Sequence, residues 1–318
     1  MSVPGDSARS RAHPYREVAY LLNSRPGPLH RAPLAFAHRG ADPQRENTMA
    51  AFRRAAQLGY QYVETDVRTS ADGELVLFHD ETLDRITDGS GSLSEKTWAQ
   101  LSQLRVIGAA SQDAGRRTGA GELTDSALGA EPVTPARPPE GDPGKQPGEP
   151  LVRFADALEA FPTTHFNVDL KDEASIGPFT RIVEEHGAHD RVLASSFNDS
   201  RRRRALRSLS RRTATSGGWV TTALMVLLGP FGVLRRGSGA AANIDCVQVP
   251  IRRGRIRIVT EAFVRRCHRA GLQVHVWVID DPDQMHQLLD LGVDGLMTDD
   301  AEALAQVMRQ RSVWPQTS

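Results

Sequence analysis

The stretch LAFAHRGADPQRENTMAAFRRAAQLGYQYVETDVRTSADGELVLFHD, Leu34 to Asp80, decides the fold. It opens on an apolar run, Leu34 to Ala37, that delivers His38, Arg39 and Gly40 at its C-terminal end, the pattern of a buried strand with polar groups emerging at one edge. Asn47 or Thr48 then caps a helix through about Leu58, with Met49, Phe52 and Ala56 at helical spacing and Gly59 as the stop. In Tyr62 to Val67 the alternation sends Glu64 and Asp66 to one face and Val63, Thr65 and Val67 to the other. The turn Ala71-Asp72-Gly73 leads straight into Leu75 to His79. A link this short excludes a parallel crossover and predicts an antiparallel hairpin that folds His79 back toward the first site. Two carboxylates buried side by side repel each other unless a cation lies between them, and a divalent metal with oxygen ligands meets that need.

Beyond this unit the chain alternates strand and helix. Strands are expected at Phe166 to Lys171, Val192 to Phe197, Thr213 to Ser216, Asp245 to Val249, Val274 to Ile279 and Gly295 to Thr298. Helices are expected at Phe154 to Phe161, Ile176 to His186, Ser200 to Leu209, Glu261 to Ala270, Pro282 to Leu291 and Ala301 to Arg309. One of the nine strand candidates, the strand at His79, runs antiparallel. Eight parallel strands remain, which predicts an α/β protein of the (β/α)8 TIM-barrel class with a β-hairpin excursion after strand 2. A doubly wound open sheet is the competing topology; it is disfavoured because no Gly-rich phosphate loop follows the first strand.

The chain divides into a leader over 1–33, a barrel over 34–310 and a tail over 311–318. An insertion of about 84–150 interrupts the barrel, beginning with a helix-like segment at Ser94 to Leu104. From about Ala109 to Pro150 it is low-complexity sequence, rich in Gly, Pro, Ala and charge, and is expected to be partly disordered. Val18 to Leu22 is a candidate to pack across the bottom of the barrel. The leader has no apolar core of signal-peptide length, so a cytoplasmic location is the default expectation. Cys246 and Cys267 give neither a disulfide framework nor zinc spacing. The 39 basic and 39 acidic residues balance, which argues against a general polyanion binder, and no aromatic stacking motif supports nucleic-acid binding.

The HRG at His38, the EN-T at Glu46 to Thr48, the E-D-V at Glu64, Asp66 and Val67, and the D-G-x-L-V-x-x-H-D ending at Asp80 together resemble the glycerophosphodiester phosphodiesterase family. The likeness covers about residues 34 to 300 and returns at Asp169 to Lys171 and at Val274 to Asp299. It implies a phosphoric diester hydrolase in which His38 and His79 are the acid-base pair. It further implies that Glu64, Asp66 and Asp169 bind Mg2+ or Ca2+, that Arg39, Glu46 and Lys171 hold the phosphate and glycerol, and that Trp277 lines the mouth. The implied chemistry is attack of the glycerol 2-hydroxyl on phosphorus, giving a cyclic phosphate that water then opens.

The sequence departs from the family pattern in four places. Asp169 stands where Glu is usual, Arg45 replaces a Pro and adds a cation near the phosphate, Val278 replaces a Thr, and the acidic pair Asp172-Glu173 follows Lys171. The D-x-K variant also occurs in related sphingomyelinase D enzymes, so lysophospholipids are a second substrate class; an inactive ligand-binding barrel is the reading from another class.

His13, His30, His165, His186, His189, His268, His275 and His286 lack a neighbouring carboxylate pair at a strand end and read as structural or solvated. The apolar stretch Trp219 to Leu234 falls short of the roughly 20 residues of a spanning helix. It reads either as a barrel helix with one buried face or as an apolar surface that meets a membrane. Arginines flank it at Arg201 to Arg204, Arg235 and Arg236, and Arg252 to Arg257, and would favour anionic lipid.

Overall fold

The computed structural model describes residues 18–21, 32–108, 148–228 and 244–315. In chain order the strands are β1 (Leu34–His38), β2 (Tyr62–Thr69), β3 (Leu75–Leu77), β4 (Arg105–Val106), β5 (Glu149–Pro150), β6 (His165–Leu170), β7 (Val192–Ser195), β8 (Ala214–Gly217), β9 (Cys246–Val249), β10 (Arg252–Arg253), β11 (Ile256–Arg257), β12 (Gln273–Val276) and β13 (Gly295–Thr298). The helices are α1 (Met49–Leu58), α2 (Trp98–Leu101), α3 (Phe154–Ala160), α4 (Ile176–Glu185), α5 (Asp199–Arg207), α6 (Trp219–Leu228), α7 (Glu261–Arg269), α8 (Pro282–Asp290) and α9 (Ala301–Gln310).

The main sheet runs β1-β13-β12-β9-β8-β7-β6-β2, and β1 pairs with β2 as well as with β13. Every one of these pairings is parallel, so eight strands close into a barrel and the open-sheet alternative is excluded. The strand β3 pairs antiparallel to β2 with Val67 opposite Leu77, as the short Asp72-Gly73 turn requires.

Strand alternation divides the apolar residues between two layers. Residues such as Val63, Val67, Val168 and Leu170 join Phe52, Phe154, Phe179 and Phe263 in the core between sheet and helices. Leu34, Phe36, Tyr62, Leu193, Cys246 and Met297 fill the barrel interior, and Val18, Tyr20 and Leu21 plug its lower end. There the Tyr62 hydroxyl donates to the Tyr20 carbonyl at 2.9 Å, and His165 stacks on Tyr62 with centroids 4.7 Å apart.

A satellite core of Val76, Phe78, Leu83, Ile86, Leu93, Leu101, Val106 and Leu151 lies beside the hairpin. The first part of the insertion is therefore packed structure. Its helix is shorter than the sequence suggested: a 3-10 turn at Leu93–Glu95 and the single turn α2, where Thr97 and Gln100 form a capping box that starts the helix late. The antiparallel pair β4 and β5 joins the chain on either side of the low-complexity segment; its residues 109–147 lie outside the described residues. The segment after α9 is more than a tail, since Trp314 donates to the Leu58 carbonyl at 3.0 Å and packs on Tyr60.

Candidate active site

Register brings the site together. His38 lies opposite Glu64 across β1 and β2, Glu64 opposite Asn167 across β2 and β6, and Asp66 opposite Asp169 one layer higher. Three neighbouring strands thus end in imidazole and carboxylates at the C-terminal mouth of the barrel. The loop after β1 is wound tightly around them. Gly40 sits at φ +94, where an added Cβ would meet that of Ala51 at 2.6 Å, so the HRG glycine is a packing requirement. Arg39 (φ 51) and Asn47 (φ 59) adopt the left-handed conformation, with the Asn47 amide donating to the Arg39 carbonyl at 2.9 Å. Thr48 caps α1 through Ala51 N, and Gly59 closes it at φ 100.

His38 Nδ1 is 2.7 Å from Asp299 Oδ1, and its Nε2 is 3.6 Å from Glu64 Oε2. Burial opposes protonation of His38, but Glu64 and the bond to Asp299 outweigh it and raise the imidazole above its ordinary value. Burial, reinforced by repulsion from Asp66, pushes Glu64 up to about 7. Burial acts on Asp66 in the same sense, yet Lys171 and Arg39 hold that carboxyl well below the usual range. The contacts are direct: Lys171 Nζ is 2.8 Å from Asp66 and 2.7 Å from Asp169, and Arg39 Nε is 3.0 Å from Asp66. Arg39 also pairs with Glu46 at 3.1 Å.

His79 follows the hairpin with Nδ1 2.6 Å from Asp80. Phe78 N donates to the Asp66 carbonyl, and Arg68 Nε to the His79 carbonyl at 2.8 Å, which turns the hairpin end back onto β2. Trp277 is at the mouth, in edge contact with Phe197; Phe197 in turn stacks on Trp219 and lies under Lys171.

Among the described residues, no three histidine, cysteine, aspartate or glutamate side chains form a ready-made metal cluster. The Lys171 ammonium stands between two of the three expected ligands. The donor set still suits a hard cation, because Glu64 Oε2, Asp169 Oδ1 and the neighbouring Asn167 Oδ1 are buried oxygens without a hydrogen-bond partner.

Other residues prominent in the sequence serve the framework around the site. Arg45 pairs with Asp42 at 2.6 Å and reaches Glu149 at 3.8 Å, so it ties the loop after β1 to β5. Arg202 is 2% exposed between Asp199 and Thr215, so it is not part of the cationic surface that the run at 201–204 was expected to offer anionic lipid. Asp172 accepts from Thr69 N, Thr69 Oγ1 and Ser175 N, which makes it a loop brace. The six described remaining histidines have other partners: His165 and His275 are packed in the barrel, and His186, His189, His268 and His286 bond Glu159, Glu184, Asp294 and Gln310. His13 and His30 lie outside the described residues.

Three residues near the site were missed from sequence: Asp299, Asn167 and Arg85. Asp299 follows directly on the last barrel strand, a position that marks it as a mouth residue once the barrel is assumed. Asn167 shares the inward face of Asp169 by strand alternation. No local signal marks Arg85.

Comparison with known proteins agrees with this architecture. Residues 38–303 match the model of the glycerophosphoryl diester phosphodiesterase family. The Mycobacterium tuberculosis protein named "Probable glycerophosphodiester phosphodiesterase 2" is 36% identical over 287 residues, covering 90% of this chain and 94% of its own length. A solved structure from Silicibacter pomeroyi superposes with a TM-score of 0.70 at 18% identity, over 93% of this chain and 98% of that one. An Oleispira antarctica phosphodiesterase, solved in complex with the product sn-glycerol-3-phosphate, has a TM-score of 0.62 at 22% identity, over 87% and 97% of the two chains. The chain belongs to the glycerophosphoryl diester phosphodiesterase family and is a phosphoric diester hydrolase built on a (β/α)8 barrel.

Proposed function

We propose that the protein hydrolyses glycerophosphodiesters to an alcohol and glycerol 3-phosphate with a divalent cation, Mg2+ or Ca2+, held by Glu64, Asp66 and Asp169. The reading is supported by the layer in which Asp66 and Asp169 face each other, with buried oxygens on Glu64 and Asp169 that receive no hydrogen bond and an imidazole held by its own aspartate at each of His38 and His79. The product bound by the Oleispira antarctica protein is the one this reaction releases.

One imidazole of the pair takes the proton of the glycerol 2-hydroxyl as its oxygen bonds to phosphorus. The other gives a proton to the departing alkoxide as the phosphorus-oxygen bond breaks. The cyclic phosphate is then opened by water, with the two proton transfers reversed. Asp299 and Asp80 keep each ring in one orientation with Nδ1 engaged, so Nε2 is the nitrogen that exchanges protons. Arg39 and Lys171 supply fixed positive charge to the phosphoryl oxygens. The cation, when bound, adds Lewis-acid neutralisation of the same oxygens.

The test is release of choline, ethanolamine or glycerol 3-phosphate from the corresponding glycerophosphodiesters, with and without EDTA. Turnover is expected to vanish in EDTA and return with Mg2+ or Ca2+. His38→Ala and His79→Ala are each expected to lower kcat by about 10³-fold. Full activity in EDTA ends the metal assignment, and full activity in either variant ends the acid-base assignment.

A second reading extends the substrate class to lysophospholipids taken from a membrane surface. It is favoured by the rim of the mouth, where Phe197, Val220, Leu224 and Ile256 are large apolar side chains left exposed beside arginines.

A further inference from the structure

We propose that Arg85, carried by the insertion, is a positioning residue for the phosphodiester chemistry: it clamps Asp80 behind His79 and Glu46 behind Arg39. The inference rests on the roles given above to His79 and Arg39. Arg85 Nε lies 2.5 Å from Asp80 Oδ2, while its Nη2 and Nη1 meet Glu46 Oε1 and Oε2 at 2.6 and 3.2 Å. All three guanidinium nitrogens are therefore committed to carboxylates, which suits a brace and not a phosphate ligand.

Each carboxylate has its other side on a site residue. Asp80 Oδ1 is the partner of His79 Nδ1 at 2.6 Å, and Glu46 Oε1 is shared with Arg39 Nη1 at 3.1 Å. A lysine in place of Arg85 would keep the charge but not the fork that reaches both.

Arg85 is itself held in place. Leu83 and Ile86 on either side of it are 0% and 1% exposed in the satellite core, Leu83 N donates to the Gly91 carbonyl, and Thr87 Oγ1 donates to the Leu83 carbonyl at 2.7 Å. This cluster links the insertion to both flanks of the site. Burial works to raise Asp80, but its bonds to His79 and Arg85 outweigh it and keep the carboxyl ionised.

Steady-state hydrolysis of glycerophosphocholine with Arg85→Gln, Arg85→Lys, Asp80→Asn and the double variant Asp80→Asn/Arg85→Gln tests the clamp, alongside thermal unfolding and His79→Ala. In Arg85→Gln, kcat is expected to fall on the order of 10²-fold with the unfolding midpoint nearly unchanged, and Arg85→Lys to recover less than a tenth of the lost activity. Because Arg85 acts through Asp80, the loss in the double variant is expected to be at least tenfold smaller than the product of the single losses. Should Arg85→Gln fail to fold, the charge-preserving Arg85→Lys carries the same comparison. Wild-type kcat in a folded Arg85 variant, full rescue by lysine, or losses that simply multiply would overturn the clamp. An inactive His79→Ala beside a normal Arg85→Gln removes this inference alone, whereas an active His79→Ala removes the reading beneath it.

Discussion

His38 is gripped from two directions, by Asp299 at Nδ1 and by Glu64 near Nε2, one residue just past the last barrel strand and the other on the second. A ring held at one nitrogen by a carboxylate has one tautomer and one orientation, which a general acid or base needs. Asp299→Ala leaves the ring free to rotate, and kcat is expected to drop about 10²-fold with KM changed far less, measured on glycerophosphocholine; an unchanged kcat would show that Asp299 plays no part. The residues of the first unit were legible because they crowd into 47 positions with a distinctive order. Asp299 was not, since its partner lies 261 positions away and only barrel closure brings them within a hydrogen bond.

Among the elements, α6 has an inverted face. It turns Thr221, Thr222 and Met225 inward at 5%, 8% and 0% exposure and leaves Val220 and Leu224 at 65% and 39%. The inward Thr221 has a cause: Asp199 accepts from Gly218 N, Val220 N, Thr221 N and Thr221 Oγ1, so the start of the helix is bolted to α5 by a buried carboxylate. The arginine hairpin β10–β11 leans on the same place, with the Arg253 guanidinium 3.8 Å over the Trp219 ring and Ile256 exposed. Apolar tips among arginines on one rim support the membrane-surface reading proposed above. The remaining residues 229–234 of the apolar run, and Arg235 and Arg236, lie outside the described residues. The protein is expected to float with vesicles containing phosphatidylserine and to lose flotation in Val220→Asp/Ile256→Asp. No flotation in either form would leave soluble diesters as the substrates. No described helix is long and apolar enough to cross a membrane.

Taken whole, the barrel carries an acid-sensitive interior. His275 is 0% exposed, lies against Phe36 and bonds Gln273, and burial pushes its imidazole down to about 3; His165 is pushed to about 4 by burial and by Arg191. Below pH 6.5 the unfolded chain takes up these protons and the folded chain does not, so stability falls as pH is lowered from about 6.5 toward 3, for His275 on the order of a few kcal/mol. Urea unfolding of the wild type and His275→Gln at pH 7 and pH 4.5 checks this: the stability gap between them is expected to narrow at the lower pH, and parallel curves would exclude His275 as the source.

The periodicity of the chain by itself determined the eight parallel strands, the hairpin and the cap and stop of α1, because those features depend on residues within a few positions of one another. Spacing along β2 likewise put Glu64 and Asp66 on one face. Which acids meet which bases was decided only by closure and register: β2 beside β6 sets Asp66 against Asp169 and inserts Lys171 between them, while β13 beside β1 brings Asp299 to His38. The direction of Arg85 was likewise outside the reach of pattern, since its aim depends on how Leu83 and Ile86 pack. Local sequence fixes which side of a strand a residue occupies, but distances across a barrel follow from how strands far apart in sequence are staggered, and no local propensity encodes that stagger.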